Sequence, residues 1–226
     1  MKIKFILTCI ALNILFSCYA QKQTEIMPEK YDFELMRKIK QETGAISTVI
    51  KRGNLLIYIT PMTDDGAFYN EYSLNPQFYA IQKKFYPNGN LKSKVQFIGE
   101  YILTGESIYY DENGNITKVD EDAKFGKIKP DWILKFIEKE GWIDLKTGRG
   151  REELEILEEG IGRIKHGAFL LKFFSKGEFV KYPNSSLWII TIRSRPENEN
   201  YRTRYFIDGD TGEVLEKQRE RILYKE

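Results

Sequence analysis

Phe85-Tyr86-Pro87-Asn88-Gly89-Asn90-Leu91-Lys92 recurs downstream as Tyr109-Tyr110-Asp111-Glu112-Asn113-Gly114-Asn115-Ile116-Thr117-Lys118. Each copy runs a pair of aromatics into an Asn-Gly turn and leaves it on an aliphatic residue that opens a return strand. A tight hairpin needs positive φ at its central positions, which Gly and Asn tolerate best. Between the copies, Gly99-Glu100-Tyr101 through Gly105-Glu106 holds another turn. The region therefore reads as a β-meander of antiparallel hairpins.

Upstream of the repeat, Ser47–Ile50 and Leu55–Ile59 read as strands joined by an Arg52-Gly53-Asn54 turn. Pro61–Gly66 is a loop, and Phe68–Tyr79 is aromatic and irregular. Glu29–Glu42 has helical spacing at Phe33, Met36, Ile39 and Lys40, and Gly44 stops it. Downstream, Asp120–Lys127 links to a helix over Pro130–Glu140. Pro130 suits its first turn, Asp131 adds favourable negative charge there, and Ile133, Phe136 and Ile137 line its inner face. Asp144–Gly150 is polar, Glu152–Leu157 is a short helix or an edge segment, and Phe169–Phe174 is a strand. Leu187–Arg193 and Tyr201–Asp208 form a hairpin about the polar loop Ser194–Asn200. Gly209–Gly212 turns the chain into Glu213-Val214-Leu215.

The Tyr-Tyr-x-x-Asn-Gly-x-Leu/Ile-x-Lys pattern over residues 82–120 resembles the MORN-variant hairpin repeats of YwqK-type antitoxin proteins. In residues 128–218, a helix is followed by Trp188-x-Ile190-x-Ile192. Tyr205-Phe206-Ile207-Asp208 then leads into Thr211-Gly212-Glu213-Val214-Leu215. That order resembles a PepSY-like domain, with a long insertion at 141–180. The resemblance implies a small α+β module of the cell envelope or of protease propeptides, several of which inhibit or regulate peptidases.

The first residues have the three parts of a secretory signal. Lys2 and Lys4 precede an apolar run from Phe5 to Phe16, and Cys18-Tyr19-Ala20 places small residues where a signal peptidase reads. Cleavage after Ala20 would make Gln21 the first mature residue. In an alternative processing, Leu15-Phe16-Ser17-Cys18 acts as a lipobox and Cys18 is lipidated, and only then is a membrane a partner. Both cysteines, Cys9 and Cys18, lie in this segment, so the mature chain is expected to carry no disulfide. With a single histidine, Cys/His zinc sites are excluded by count. Without Lys2 and Lys4 the 35 basic residues fall to 33 against 33 acids, which removes any general attraction to nucleic acid. No cofactor or metal is expected.

Candidate chemistry is sparse. Asp210-Thr211-Gly212 copies the aspartic-protease triplet but sits between Gly209 and Glu213, as a reverse turn does. Calcium loops begun at Asp111 or Asp208 lack Gly at position six and Glu at position twelve. His166 has no nucleophile with a local signature beside it. Asp120-Glu121-Asp122 and Glu152-Glu153 read as solvated faces, and Trp132, Trp142 and Trp188 as core. One cluster stands out: Arg193, Arg195, Arg202 and Arg204 flank the Ser194–Asn200 loop, so a hairpin gathers them. Like charges facing one another across strands are unfavourable. Their accumulation points to an acidic partner, or to neutralisation by Glu197 and Glu199.

The expected fold is α+β. A signal peptide spans 1–20, and an N-terminal helix with the antiparallel hairpin meander spans 21–122. A PepSY-like helix-plus-antiparallel-sheet module spans 123–226. The expected function is that of an exported, periplasmic or extracellular, non-enzymatic protein-binding module, inhibitory or immunity-like. An envelope hydrolase with an unrecognised site and a structural lipoprotein are the alternatives.

Overall fold

A computed structural model describes residues 29–44, 47–75, 77–99, 102–156, 162–193 and 201–221. The signal segment with Cys18, Ala20 and Gln21, the Ser194–Asn200 loop and Arg195 lie outside the described residues.

The meander forms. Seven strands pair antiparallel strictly in chain order: β1 (Thr48–Arg52), β2 (Leu55–Ile59), β3 (Ala67–Ser73), β4 (Tyr79–Phe85), β5 (Leu91–Ile98), β6 (Ile102–Tyr110) and β7 (Ile116–Asp120). The two Asn-Gly turns join β4 to β5 and β6 to β7, with Gly89 at φ 82° and Gly114 at φ 83°. β7 is exposed along its whole length and closes the row with Lys118 bonded to Glu106 at 2.9 Å. A lysine on an edge strand discourages further strand pairing.

β3 corrects the irregular reading of Phe68–Tyr79. Asn70, Glu71 and Ser73 hide the strand in the sequence, yet Asn70 and Glu71 are buried in mid-sheet. Their partners come from β4: Gln82 Nε2 donates to Asn70 Oδ1 at 3.0 Å and Lys83 Nζ to Glu71 Oε1 at 2.6 Å. Buried polar groups are tolerated when hydrogen-bonded.

Helix α1 is Phe33–Thr43, four residues shorter at its start than the Glu29 expectation. Asp32 caps it, its carboxylate accepting from Leu35 N at 2.9 Å, and Gly44 closes it at φ 71°. The residues before the cap are recruited by the first Asn-Gly turn instead. Tyr31 N donates to Gly89 O at 2.9 Å, and Lys30 bridges Asn90. The Phe33 ring lies over Gly89, where a Cβ would come within 2.5 Å of it. So this turn glycine serves both the hairpin and the seat of the helix. Tyr31 and Met36 pack there against Ile57, Ile59, Tyr69 and Phe85. Burial, aided by Tyr69, pushes the Tyr31 phenol up to about 12.

The second half holds helix α2 (Pro130–Lys139) and a four-stranded antiparallel sheet. Its strands are β10 (Phe169–Phe174), β11 (Leu187–Ile192), β12 (Tyr201–Asp208) and β13 (Val214–Arg221), in that spatial order. Between helix and sheet, β8 (Glu153–Ile156) and β9 (Gly162–Lys165) form a separate two-stranded hairpin. The open choice at Glu152–Leu157 is thus decided for strand. Leu154 of this hairpin buries itself on the meander beside Val49, Tyr72, Ala80 and Phe97.

One face of the four-stranded sheet is the core. Phe169, Leu171, Trp188, Ile190, Ile192, Tyr205 and Ile207 meet Ile133, Leu134 and Ile137 of α2. Each fully buried aliphatic side chain there stabilises by about 1.5–3 kcal/mol. Ile98 of the meander is wholly buried in the same cluster, with Phe78, Tyr79 and Ile102 packed on it. The two halves share a core. Polar contacts seal the junction: Tyr79 OH donates to Asp131, Thr104 Oγ1 to Asp122 at 2.7 Å, and Tyr72 OH to Glu152 at 3.1 Å.

Candidate functional site

Alternation sends Leu170, Lys172 and Phe174 of β10 to the side of the sheet opposite α2. The register continues that surface through Thr191 and Ile189 of β11, then Arg204 and Phe206 of β12, then Gln218 and Glu216 of β13. The β11–β12 ladder ends at Ile192↔Thr203, and Arg193 and Arg202 stand next beyond it. Those from β10, β11 and β12, with Arg193, Arg202 and Phe179, line an open groove of about 460 Å³. Among the described residues, its lining contains Lys172, Arg193, Arg202 and Arg204 and no carboxylate, over Leu170, Phe174, Phe179, Ile189 and Phe206.

Three of the four arginines expected to cluster are therefore brought together, and Arg195 lies outside the described residues. Arg202 is exposed and faces Glu220 in register, while Arg204 reaches the same Glu220 at 3.4 Å. Arg193 is held by its guanidinium on Gly167 O at 3.5 Å and its backbone N on Ala168 O at 2.9 Å. Sequence reasoning missed Lys172 and the apolar floor. The available signal was Phe169-Leu170-Leu171-Lys172-Phe173-Phe174, a strand apolar on both faces although only one is needed for the core.

The groove has a wall. The segment after β10 folds Phe179 and Tyr182 onto Phe206, with ring centroids 6.1 and 6.2 Å away. Glu216 fastens it, accepting from Lys181 Nζ at 2.5 Å and Tyr182 OH at 3.0 Å. Those bonds, the Lys181 one first, hold the Glu216 carboxyl at about 2, well below the usual 4.5. A folded-state pKa below the unfolded one makes the fastening complete above the unfolded value and lost as pH falls through the folded one. Amide exchange at Lys181 and Tyr182, corrected for intrinsic rates, is therefore expected to be faster near pH 3 than near pH 6. Glu216→Gln should remove that difference; a difference that persists in the variant would assign the effect to another group.

The other sequence candidates resolve into structure. The Asp208 carboxylate accepts from Asp210 N, Thr211 N and Thr211 Oγ1 at 2.9, 2.8 and 3.1 Å, which is turn chemistry. Asp111 likewise accepts from the backbone of Asn113 and Asn115. His166 is exposed beside β10. Asp120-Glu121-Asp122 is not a solvated face. Asp120 caps a short 3-10 turn, Glu121 is buried and bonded by Lys124 and Tyr109, and Asp122 receives Thr104. The segment must turn the chain between two packed halves, so its carboxylates are consumed by local donors. Trp188 is core, whereas Trp132 is 37 % exposed and stacks on Phe136 at 5.7 Å. Among the described residues, no group of three or more His, Cys, Asp or Glu could hold a metal ion, and no helix is long and apolar enough to cross a membrane.

Two segments of the meander, residues 79–98 and 103–119, match the family model described as MORN repeat variant. These are the β4–β5 and β6–β7 hairpins. The match supports a protein-binding or structural role, and it does not extend to the helix-plus-sheet half. No curated protein matches the chain, and no solved structure does.

Proposed function

We propose that this protein is an exported, non-enzymatic protein-binding module whose docking surface is the outer face of the four-stranded sheet. The observation that carries the reading is the groove itself, an apolar floor rimmed by Lys172, Arg193, Arg202 and Arg204. Arginine is the cation best suited to fixed recognition of carboxylates, because its planar fork bonds both oxygens at once. The MORN-variant hairpins support the module reading, acting as the rigid half against which the sheet is held. A PepSY-like character of residues 128–218, supported by the helix followed by an antiparallel sheet, would make the bound protein a peptidase and the module its inhibitor. An immunity-like role is the same binding directed at a toxin.

A photo-crosslinking side chain at Leu170, introduced into the full chain in the producing cells, is expected to yield one discrete protein adduct. The same group at Glu112, on the exposed second Asn-Gly turn, is expected to yield none. Adducts from Glu112 alone would move the docking surface to the meander. Adducts from neither position would remove the protein-binding reading.

A further inference from the structure

We infer that the groove receives an acidic protein segment in which apolar side chains are interleaved with carboxylates. This rests on the protein-binding reading above and adds the chemistry of the partner. Among the described residues, four cations and no acid line the groove, although the expected mature chain is balanced at 33 basic and 33 acidic residues. Glu220 is already paired with Arg204, and Glu216 is already bonded to Lys181 and Tyr182. Clustered like charges on neighbouring strands cost stability when they are left to themselves. An incoming carboxylate offsets that cost where it is incurred.

The floor argues for a protein rather than a bare anion. Ile189 and Phe206 are buried at the base, with Leu170 and Phe179 half-buried above them. Burying such carbon contributes about 25 cal/mol per Å² of apolar area. A segment with carboxylates alone would leave this area wet, and one with apolar groups alone would bring no counter-charge to the cations gathered on the rim. The rim argues against a continuous polyanion. Glu220 and Glu216 sit along β13 beside the arginines, so a nucleic acid or an anionic membrane would meet carboxylates as well as cations. Discrete acidic side chains can avoid them.

The test selects a displayed random library of about twelve-residue peptides against the full mature chain. Selected peptides are expected to be enriched in Asp and Glu alternating with Leu, Ile or Phe, and to bind less tightly as salt rises. Arg202→Gln with Arg204→Gln should weaken the best peptide about tenfold or more, and Leu170→Ser should weaken it at unchanged charge. Both changes are at exposed or half-exposed positions, and unfolding midpoints close to the parent chain's would establish that the fold is kept. Peptides without acidic enrichment, or affinity indifferent to the arginine pair, would overturn the inference. So would Arg202- and Arg204-dependent binding to phosphatidylglycerol vesicles or to oligothymidylate in preference to the peptides. Crosslinks at Leu170 that survive the arginine changes would leave protein binding standing and remove only the acidic partner.

Discussion

Replacing Lys83 by Met is expected to destabilise the protein by about 3–5 kcal/mol, the usual cost of stranding one partner of a buried ion pair. Lys83 Nζ lies 2.6 Å from Glu71 and 2.5 Å from Glu29, and the Lys83 and Glu71 side chains are each only 9 % exposed. Glu71 is in mid-sheet on β3 and would lose the cation that answers it there. Glu29 is half exposed, so water answers it and it adds little to the loss. The double variant Lys83→Met with Glu71→Met should recover most of the stability, because two apolar groups of similar size replace a pair that paid heavily for desolvation. Urea denaturation measures both. A single variant within about 1 kcal/mol of the parent would mean that the site opens to water and that β3 is not sealed as described. Burial by itself would lower the Lys83 pKa, but its bonds to Glu29 and Glu71 outweigh that and raise it above the ordinary 10.5. The contribution is therefore complete below the ordinary lysine value and lost only as pH rises through the raised one. No pH dependence from Lys83 is expected near neutrality.

Trp188→Ala should cost a similar amount, about 3–5 kcal/mol, and should weaken both halves together. The indole is fully buried between Phe125 and Phe173, with centroids 4.9 and 5.0 Å away, and its N–H donates to Ile128 O at 2.9 Å. Because Ile98 and Tyr79 of the meander belong to the same packed cluster, a single unfolding transition at a lower midpoint is expected. Two separate transitions would show that the halves unfold independently despite their contact. Trp188→Phe keeps most of the packing and leaves the Ile128 carbonyl without its donor, a loss of about 1–3 kcal/mol. Trp188 also bears on the proposed groove. Its neighbour Ile189 projects to the opposite face and forms part of the floor, so a cavity beneath β11 would loosen the surface above it.

The hairpins were legible because their signal is local. Gly89 and Gly114 take a positive φ that glycine adopts without steric cost whatever surrounds it, and the aliphatic residue after each turn starts the next strand. Helix α2 was legible for the same reason, with Pro130 at its start and Ile133 and Ile137 on one side. β3 was not. Asn70 and Glu71 read as loop residues until Gln82 and Lys83 stand opposite them, and that pairing exists only when β4 lies alongside. The start of α1 was missed because Glu29–Tyr31 fits a helix equally well, and the competing contact with Gly89 is remote in sequence. In the candidate site, the arginines were visible through their spacing about one loop. The apolar floor was not, since nothing in Phe169–Phe174 says which of two apolar faces the core will claim.

By itself, then, the chain determined its turns, the strands that flank them, the helix α2 and the clustering of Arg193, Arg202 and Arg204. Each of these depends on φ preferences or on side-chain period within a few residues. Only the tertiary structure decided that Lys83 and Glu71 are buried, that Ile98 joins the two halves in one core, and that Leu170, Ile189 and Phe206 form an apolar floor beneath the arginines. The physical reason is that burial belongs to whatever lands on a surface. Helix α2 covers one face of the four-stranded sheet, while among the described residues Phe179 and Tyr182 pack over one end of the other.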